Sequence, residues 1–487
     1  MSPIESQRLR IHIDGHQVAV SHLSEFRRRW QCFHRRLVTG RLRKRASRGG
    51  DKSRTKHSGV RWRQYVRAIG PGLITGASDD DPSGIATYAQ AGSQYGLSFL
   101  WSALLTFPLM VGVQEICDRT ALATGTGLGE LAVRRFARRG QWVVGLLLVI
   151  LIFANTLNIA ADLVAIGSGM NLLHAGPAWL WAPLSGIAIS ALLVVGTYAR
   201  IAMVFRILAG TLVVYIVVVV IVTHNWLRVI DYTVVPHVEL NKAYIALLVA
   251  ILGTTISPYL FFWQSANRLE EMRDELEGGA KPATLKMRSR SHARLKQRTS
   301  RLDVFSGMAF SNIVMFSIIA TTAETLHVHH ITNIQSAAQA ATSLRPIAGS
   351  LSSIIFALGF IGSGLLAIPV LAASGSIGMS GLLGRGWGFS RTIREAPLFY
   401  VLVGVGTIGG TALTLLNVNP IKLLVFVAVI NGIIAAPLLV VVLIISNDQR
   451  LMGEYVNGHA ANILGWLTFA LMSVATIALF ATGGVSF

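Results

Sequence analysis

Apolar runs of membrane-crossing length recur along this chain, and no other feature narrows its fold so far. Trp142 to Phe153, Ile207 to Val222, Ala348 to Leu371 and Leu423 to Ile445, taken with their mildly polar flanks, approach or exceed the roughly 18 to 20 residues that a helix needs to cross a bilayer. Several such runs imply an all-α membrane bundle. Only 14% of the 487 residues are charged, against roughly a quarter in a soluble domain, which excludes an ordinary globular enzyme. The two cysteines, Cys32 and Cys117, lie in a basic tail and at the end of a predicted span, so they suggest neither a disulfide framework nor a zinc site.

The net charge of +20 is concentrated in two places. One is the N-terminal tail, 1–66, with Arg27, Arg28, Arg29, Arg35, Arg36, Arg41, Arg43, Lys44 and Arg45. The other is a predicted loop, 267–302, carrying Lys286, Arg288, Arg290, Arg294, Lys296, Arg298 and Arg301. Basic segments beside spans are retained on the cytoplasmic side or lie on anionic lipid, and no nucleic-acid recognition fold accompanies the charge. The tail lacks the apolar segment of a signal peptide and is expected to be an uncleaved, disordered cytoplasmic arm.

Eleven spans are predicted, near 67–92, 97–118, 142–169, 177–198, 203–223, 243–266, 303–323, 348–371, 396–416, 420–445 and 461–482. With the N-terminus cytoplasmic, the inside connections carry Arg134, Arg135, Arg138, Arg139, Arg200, the basic loop, Arg385, Arg391 and Arg394. The outside connections carry only Arg228, Lys242 and Arg345. Eleven spans therefore satisfy the positive-inside rule for a multi-pass protein of the cell membrane with its C-terminus outside.

Two spans are interrupted at corresponding places. The first runs from Gly70 through Asp79-Asp80-Asp81-Pro82-Ser83-Gly84, placing three acids and a proline in mid-span. The sixth contains Gly253-Thr254-Thr255-Ile256-Ser257-Pro258-Tyr259. Proline removes a donor and clashes with the preceding turn, so each helix is expected to break and free backbone groups. Five spans separate the two starts, and an odd number reverses direction. Spans 1–5 and 6–10 would then form an inverted repeat within a core at 67–445, the breaks meeting near the midplane, with span 11 an addition in 446–487. A charge at the bilayer centre costs at least about 2.5 to 3.5 kcal/mol, so the three acids must face water, a cation or one another. Capping of the second half-helix by these aspartates is the alternative.

The segment Gly70 through Asp81-Pro82-Ser83-Gly84 to Ala91-Gly92-Ser93-Gln94-Tyr95-Gly96 and Trp101 resembles the first helix of the Nramp divalent-metal transporters, whose motif is Asp-Pro-Gly-Asn. Gly253 to Ser265 resembles their sixth helix, which normally carries Met-Pro-His. The resemblance covers roughly residues 60–445 and implies a LeuT-type fold with alternating access around a divalent cation carried as substrate, with no resident cofactor. It puts Asp81 in the place of the metal-binding carboxylate. Ser78 and Thr254 stand where the family supplies backbone carbonyls, Gly84 where it has Asn, and Ser257 where it has Met.

These departures imply a roomier site lined by oxygen alone. Thioether favours soft transition metals, whereas carboxylate, hydroxyl and carbonyl oxygen suit magnesium, calcium and manganese. The pattern looks like the Nramp-related magnesium transporter branch, with manganese remaining an open alternative. Proton-driven members carry acids on helix 3 and histidines on helix 6. Here Asp162 matches one acid, Asn155 and Ala165 replace others, and Tyr259 and Gln264 replace the histidines, so the relay looks dismantled. Asp79, Asp80, Asp162, Asn155, Tyr259 and Gln264 are the candidate pathway residues. Uncoupled uptake of magnesium or manganese is expected, and an ordinary proton-coupled manganese or iron importer is the alternative.

Lesser features complete the picture. His327, His329 and His330 form an outer-loop cluster, either solvated or gathering metal. Glu115 and Asp118 are expected to pair with Arg119 or inner-loop cations. Asn431 either lines the pathway or hydrogen-bonds a neighbouring helix. Glu270, Glu271, Asp274, Glu275 and Glu277 either receive exiting metal or balance the basic loop. No His-Glu-x-x-His or Gly-x-Ser-x-Gly constellation supports a membrane-embedded enzyme.

Overall fold

A computed structural model describes residues 71–195, 210–274, 282–344, 349, 352–416 and 419–483. The predicted N-terminal arm, the first residues of spans 1 and 5, Cys32, Arg200, Arg345, Glu275 and Glu277 lie outside the described residues.

Each predicted span has a helical counterpart. The first is split into α1, Pro71–Asp79, and α2, Pro82–Tyr95. A 3-10 turn at Gly96–Phe99 leads into α3, Leu100–Thr124, followed by the short α4, Leu128–Arg135. Then come α5, Arg138–Leu172, α6, Ala178–Val195, α7, Val213–Val222, and α8, Trp226–Val234. The sixth span is split into α9, Lys242–Thr255, and α10, Pro258–Asp274. The remainder are α11, Arg290–Thr322, α12, Ala337–Ala341, α13, Ser352–Leu382, α14, Pro397–Leu413, α15, Pro420–Ser446, α16, Gln449–Met452, and α17, His459–Ala481.

Among the described residues, eight continuous helical stretches are long and apolar enough to cross a bilayer, or nine with the bent pair α7–α8. The shortfall from eleven has local causes. Pro82–Thr124 passes as one stretch but contains a reversal. Trp101 at the start of α3 reaches Tyr244 near the start of α9, while Asp118 near its end reaches Gln264 of α10. The fourth span has an apolar stretch of only Ala178–Leu193, and α7 begins beside residues that are not described.

The predicted basic loop is largely helical. The sixth span continues to Asp274, and α11 starts at Arg290, capped by the Ser289 hydroxyl, well before the expected 303. A polar helix extends easily past the membrane because its charged side chains find water on every side.

The packing displays the inverted repeat. Spans 3 and 8 (α5 and α13) lie side by side, with spans 4 and 9 (α6 and α14) packed on them and on each other. Spans 1, 2, 6 and 7 form a second group, in which α11 contacts α1, α2 and α3, and α10 contacts α3. Moving five spans along the chain maps each group onto itself. The broken spans are antiparallel, since α1 packs beside α10 and α2 beside α9. Glycines permit the closest crossings. A Cβ on Gly76 would fall 2.0 Å from the Gly307 carbonyl oxygen of α11, and one on Gly253 would fall 2.2 Å from the Ala428 oxygen of α15. The chain has the LeuT-type 5+5 architecture, with span 11 packed against α15, α3 and α9.

Candidate functional site

The two breaks share one backbone device. In an unbroken helix the carbonyl of Ser78 would accept from residue 82, and that of Thr254 from residue 258. Both acceptors' partners are prolines, so both carbonyls lose their helical donor. Side-chain hydroxyls take them up. Tyr259 Oη donates toward Ser78 O at 3.4 Å, and Ser257 Oγ donates to Thr254 O at 2.7 Å.

Asp81 divides its carboxylate between two tasks. Its Oδ1 accepts from Gly84 N at 2.7 Å and Ser83 Oγ at 2.6 Å, capping α2. Its Oδ2 faces the bundle, with Asn158 Nδ2 at 3.2 Å and Tyr259 Oη at 3.5 Å. Cap and inward-facing carboxylate are therefore not alternatives at this residue. The structure gathers Asp81, the Ser78 carbonyl and Tyr259 in one place. Asn158 joins them although the sequence did not single it out. Its signal was spacing: Asn155, Asn158 and Asp162 recur at i, i+3 and i+7 on one helical face.

Asp79 and Asp80 turn elsewhere. Ser311 of α11 lies 2.9 Å from Asp79 Oδ2 and 3.2 Å from Asp80 Oδ1, and the remaining carboxylate oxygens, buried, have no hydrogen-bond partner. Ser311 was also invisible in sequence, being one hydroxyl in a helix with no other marker. Asp162 is fully buried, and neither of its oxygens is hydrogen-bonded.

Other predicted residues differ from expectation. The Ser257 hydroxyl bends back on its own helix, with Gly253 O at 3.1 Å as its second neighbour. Gly84 leaves no extra room: a Cβ there would lie 3.0 Å from Thr254 Oγ1 and 3.3 Å from the Tyr88 ring. The neighbours occupy the volume that the larger residue would have claimed. Asn155 ties span 3 to span 8 through Leu371 O at 2.8 Å and Ser374 Oγ at 2.9 Å. Both amide atoms of Asn431 are buried without a partner, so it does not tie a neighbouring helix.

Gln264 lies in a buried charged network away from the breaks, near the end of α3. It donates to Asp118 Oδ1 at 2.8 Å, the oxygen that also takes Arg268 Nε at 2.6 Å. Arg268 further reaches Asp303 Oδ2 at 2.9 Å and pairs with Glu271, while Ser300 donates to Asp118. Asp118 thus pairs with Arg268, a cation of the predicted inner loop, as expected, although that residue lies on the helical continuation of span 6. Glu115 pairs with Arg119 at 3.2 Å and Arg301 at 2.9 Å, as expected. Glu271 also holds Lys296 at 3.1 Å, which fits the charge-balancing role.

Among the described residues, no three His, Cys, Asp or Glu side chains converge as a metal cage. His327 and His329 hydrogen-bond the carbonyls of Ser93 and Thr325 instead. Any cation at the breaks would meet one carboxylate with carbonyl, amide and hydroxyl oxygens, a hard donor set.

An inverted repeat crossed by two antiparallel broken helices, with acids at the breaks, defines a membrane transporter. The family model described as "Natural resistance-associated macrophage protein-like" matches residues 72–482, and the chain belongs to this Nramp family. Members are transporters and not enzymes, which sets aside the membrane-enzyme alternative. A divalent metal cation transporter MntH of Deinococcus radiodurans is 25% identical over 413 residues, 83% of this chain and 87% of that protein. Its counterpart from Klebsiella pneumoniae is 24% identical over 429 residues, 86% and 95% of the two chains. Among solved structures, the Eremococcus coleocola manganese transporter in complex with an aromatic bis-isothiourea substituted compound matches with a TM-score of 0.70 at 15% identity. That match covers 90% of each chain, a likeness of fold.

Proposed function

We propose that the chain moves a divalent metal cation across the cell membrane by alternating access, with the ion held between the two breaks and Asp81 as its charged ligand. One observation carries this. Asp79, Asp80, Asp81 and Asp162 are buried at the level of the breaks, and among the described residues no Lys, Arg or His pairs with any of them. A buried carboxylate is held in its ionised form only by a compensating charge, and a transported cation would supply it. The relatives named as divalent metal cation transporters support the same cargo class. On binding, Tyr259 and Ser257 would release the Ser78 and Thr254 carbonyls, and Asp81 Oδ2 would turn from Asn158 to the ion while Oδ1 keeps α2 capped.

The oxygen-only donor set favours magnesium or manganese over softer ions, and transport without protons follows from the helix 6 positions. Tyr259 is occupied at the break, and Gln264 is tied to Asp118, so neither serves as a proton relay. Proton coupling has one observation in its favour, the unbonded and fully buried Asp162. Proteoliposomes loaded with metal and pH indicators separate the two. The proposal expects magnesium and manganese uptake driven by membrane potential and unaffected by a pH gradient. Internal acidification that accompanies metal entry would refute uncoupled transport.

A further inference from the structure

A cavity of about 810 Å³ opens between α3, α11 and α17, and its lining is of two kinds. Val111 of α3 with Ala461 and Leu464 of α17 give an apolar wall, while Arg290, Arg294 and Arg301 of α11 give a basic one. The arginines share a helical face, being spaced i, i+4 and i+11. With 33 residues, α11 is about 50 Å long, against a hydrocarbon core of about 30 Å. Its first turns therefore extend into the headgroup layer, on the side that carries the Arg-rich connections. Two of the four lining arginines are engaged: Arg301 with Glu115, and Arg119 with Glu115 and the carbonyls of Tyr455 and Val456. Arg290 and Arg294 are exposed and make no ion pair among the described residues. Glu454 is the other acid of the lining, which leaves an excess of two positive charges. Alongside the apolar wall, α17 presents Ile463, Trp466 and Leu467 outward, a surface suited to acyl chains.

We propose that this cavity binds an anionic phospholipid, with its phosphate held by Arg290 and Arg294 and the start of an acyl chain on Val111 and Leu464. Phosphate is the shared chemistry of a lipid headgroup and the free anion, and the apolar wall selects the lipid. Basic pockets beside spans are suited to such headgroups, because two neighbouring guanidinium groups can each donate charge-assisted hydrogen bonds to one phosphate.

The test is native mass spectrometry of the full detergent-solubilised chain, titrated with phosphatidylglycerol, phosphatidylcholine or inorganic phosphate. Phosphatidylglycerol should bind saturably, and Arg290→Gln/Arg294→Gln should weaken it roughly thirty-fold. A charge-matched control, Arg139→Gln/Arg394→Gln, alters exposed arginines that do not line the cavity and should bind like the unmodified chain. Equal weakening in both double variants would make the effect one of overall charge and overturn the proposal. Phosphatidylcholine binding equally well, or inorganic phosphate displacing phosphatidylglycerol at matched concentration, would overturn it too. All four substitutions are at exposed positions, so folding is not at risk.

Discussion

Carboxylates are buried in two regions of this molecule, and they are treated in opposite ways. At the ends of spans 2 and 6 and the start of span 7, Asp118 and Asp303 are both bound by Arg268, with Gln264 and Ser300 completing the bonds of Asp118. At the breaks, Asp79, Asp80, Asp81 and Asp162 receive hydroxyl, amide and backbone donors or nothing, and no cation from the described residues. The first region resembles a structural clamp, in which charge is cancelled within the fold. The second holds its acids without a cationic partner from the described residues, and the proposed cargo would supply one. The difference teaches that burial alone does not tell the two groups of acids apart, whereas the presence or absence of a counter-charge among the described residues does.

Substitutions can break or sharpen this contrast. Asp81→Ala should reduce divalent-cation uptake to background, beyond the roughly tenfold to hundredfold that loss of an outer-shell partner costs. Expression should be retained and stability should fall only by the roughly 0.5–2 kcal/mol of the lost α2 cap, and uptake that survives would remove Asp81 from the ion. Arg268→Met should have the opposite signature. Leaving Asp118 and Asp303 buried without their cation is expected to destabilise the fold by about 3–5 kcal/mol. Adding Asp118→Asn and Asp303→Asn should restore most of the melting temperature, and a triple variant as unstable as the single one would mean that Arg268 is not a clamp. Ser311→Ala removes the one side-chain donor shared by Asp79 and Asp80 and should cost about 1–3 kcal/mol in thermal unfolding. Little change would show that these two acids are already compensated. The smallest effect is expected at Ser257→Met, a tilt of preference from magnesium toward manganese or cadmium measured by competition in proteoliposomes. Unchanged selectivity would mean that this side chain, bent back on its own helix here, never meets the ion.

Much of the fold was legible because its signals are local. Proline at 82 and 258 dictates where spans 1 and 6 break, and the count of spans between them dictates that the halves run in opposite directions. The extent of α11 was misjudged because a polar, charged segment gives the same hydropathy whether it is loop or solvated helix. At the breaks, the family resemblance pointed to Asp81 and to the Ser78 and Thr254 carbonyls, whereas it pointed to neither Asn158 nor Ser311. Polar residues of one span say nothing about which acid of another they will face. Gly84 shows the same limit: its small size suggested room, and the neighbouring Thr254 and Tyr88 decide that there is none.

By itself, then, the sequence determined that the chain spans the membrane many times and that two spans break. These follow from hydropathy and from a proline's missing donor, effects that act within one or two helical turns. Only the tertiary structure decided that Asp118 would find Arg268 across 150 residues, that Asp79 and Asp80 would share Ser311, and that Asp81 would cap one helix while facing another span. Partners of that kind are set by how helices cross, and crossing is a property of the whole bundle.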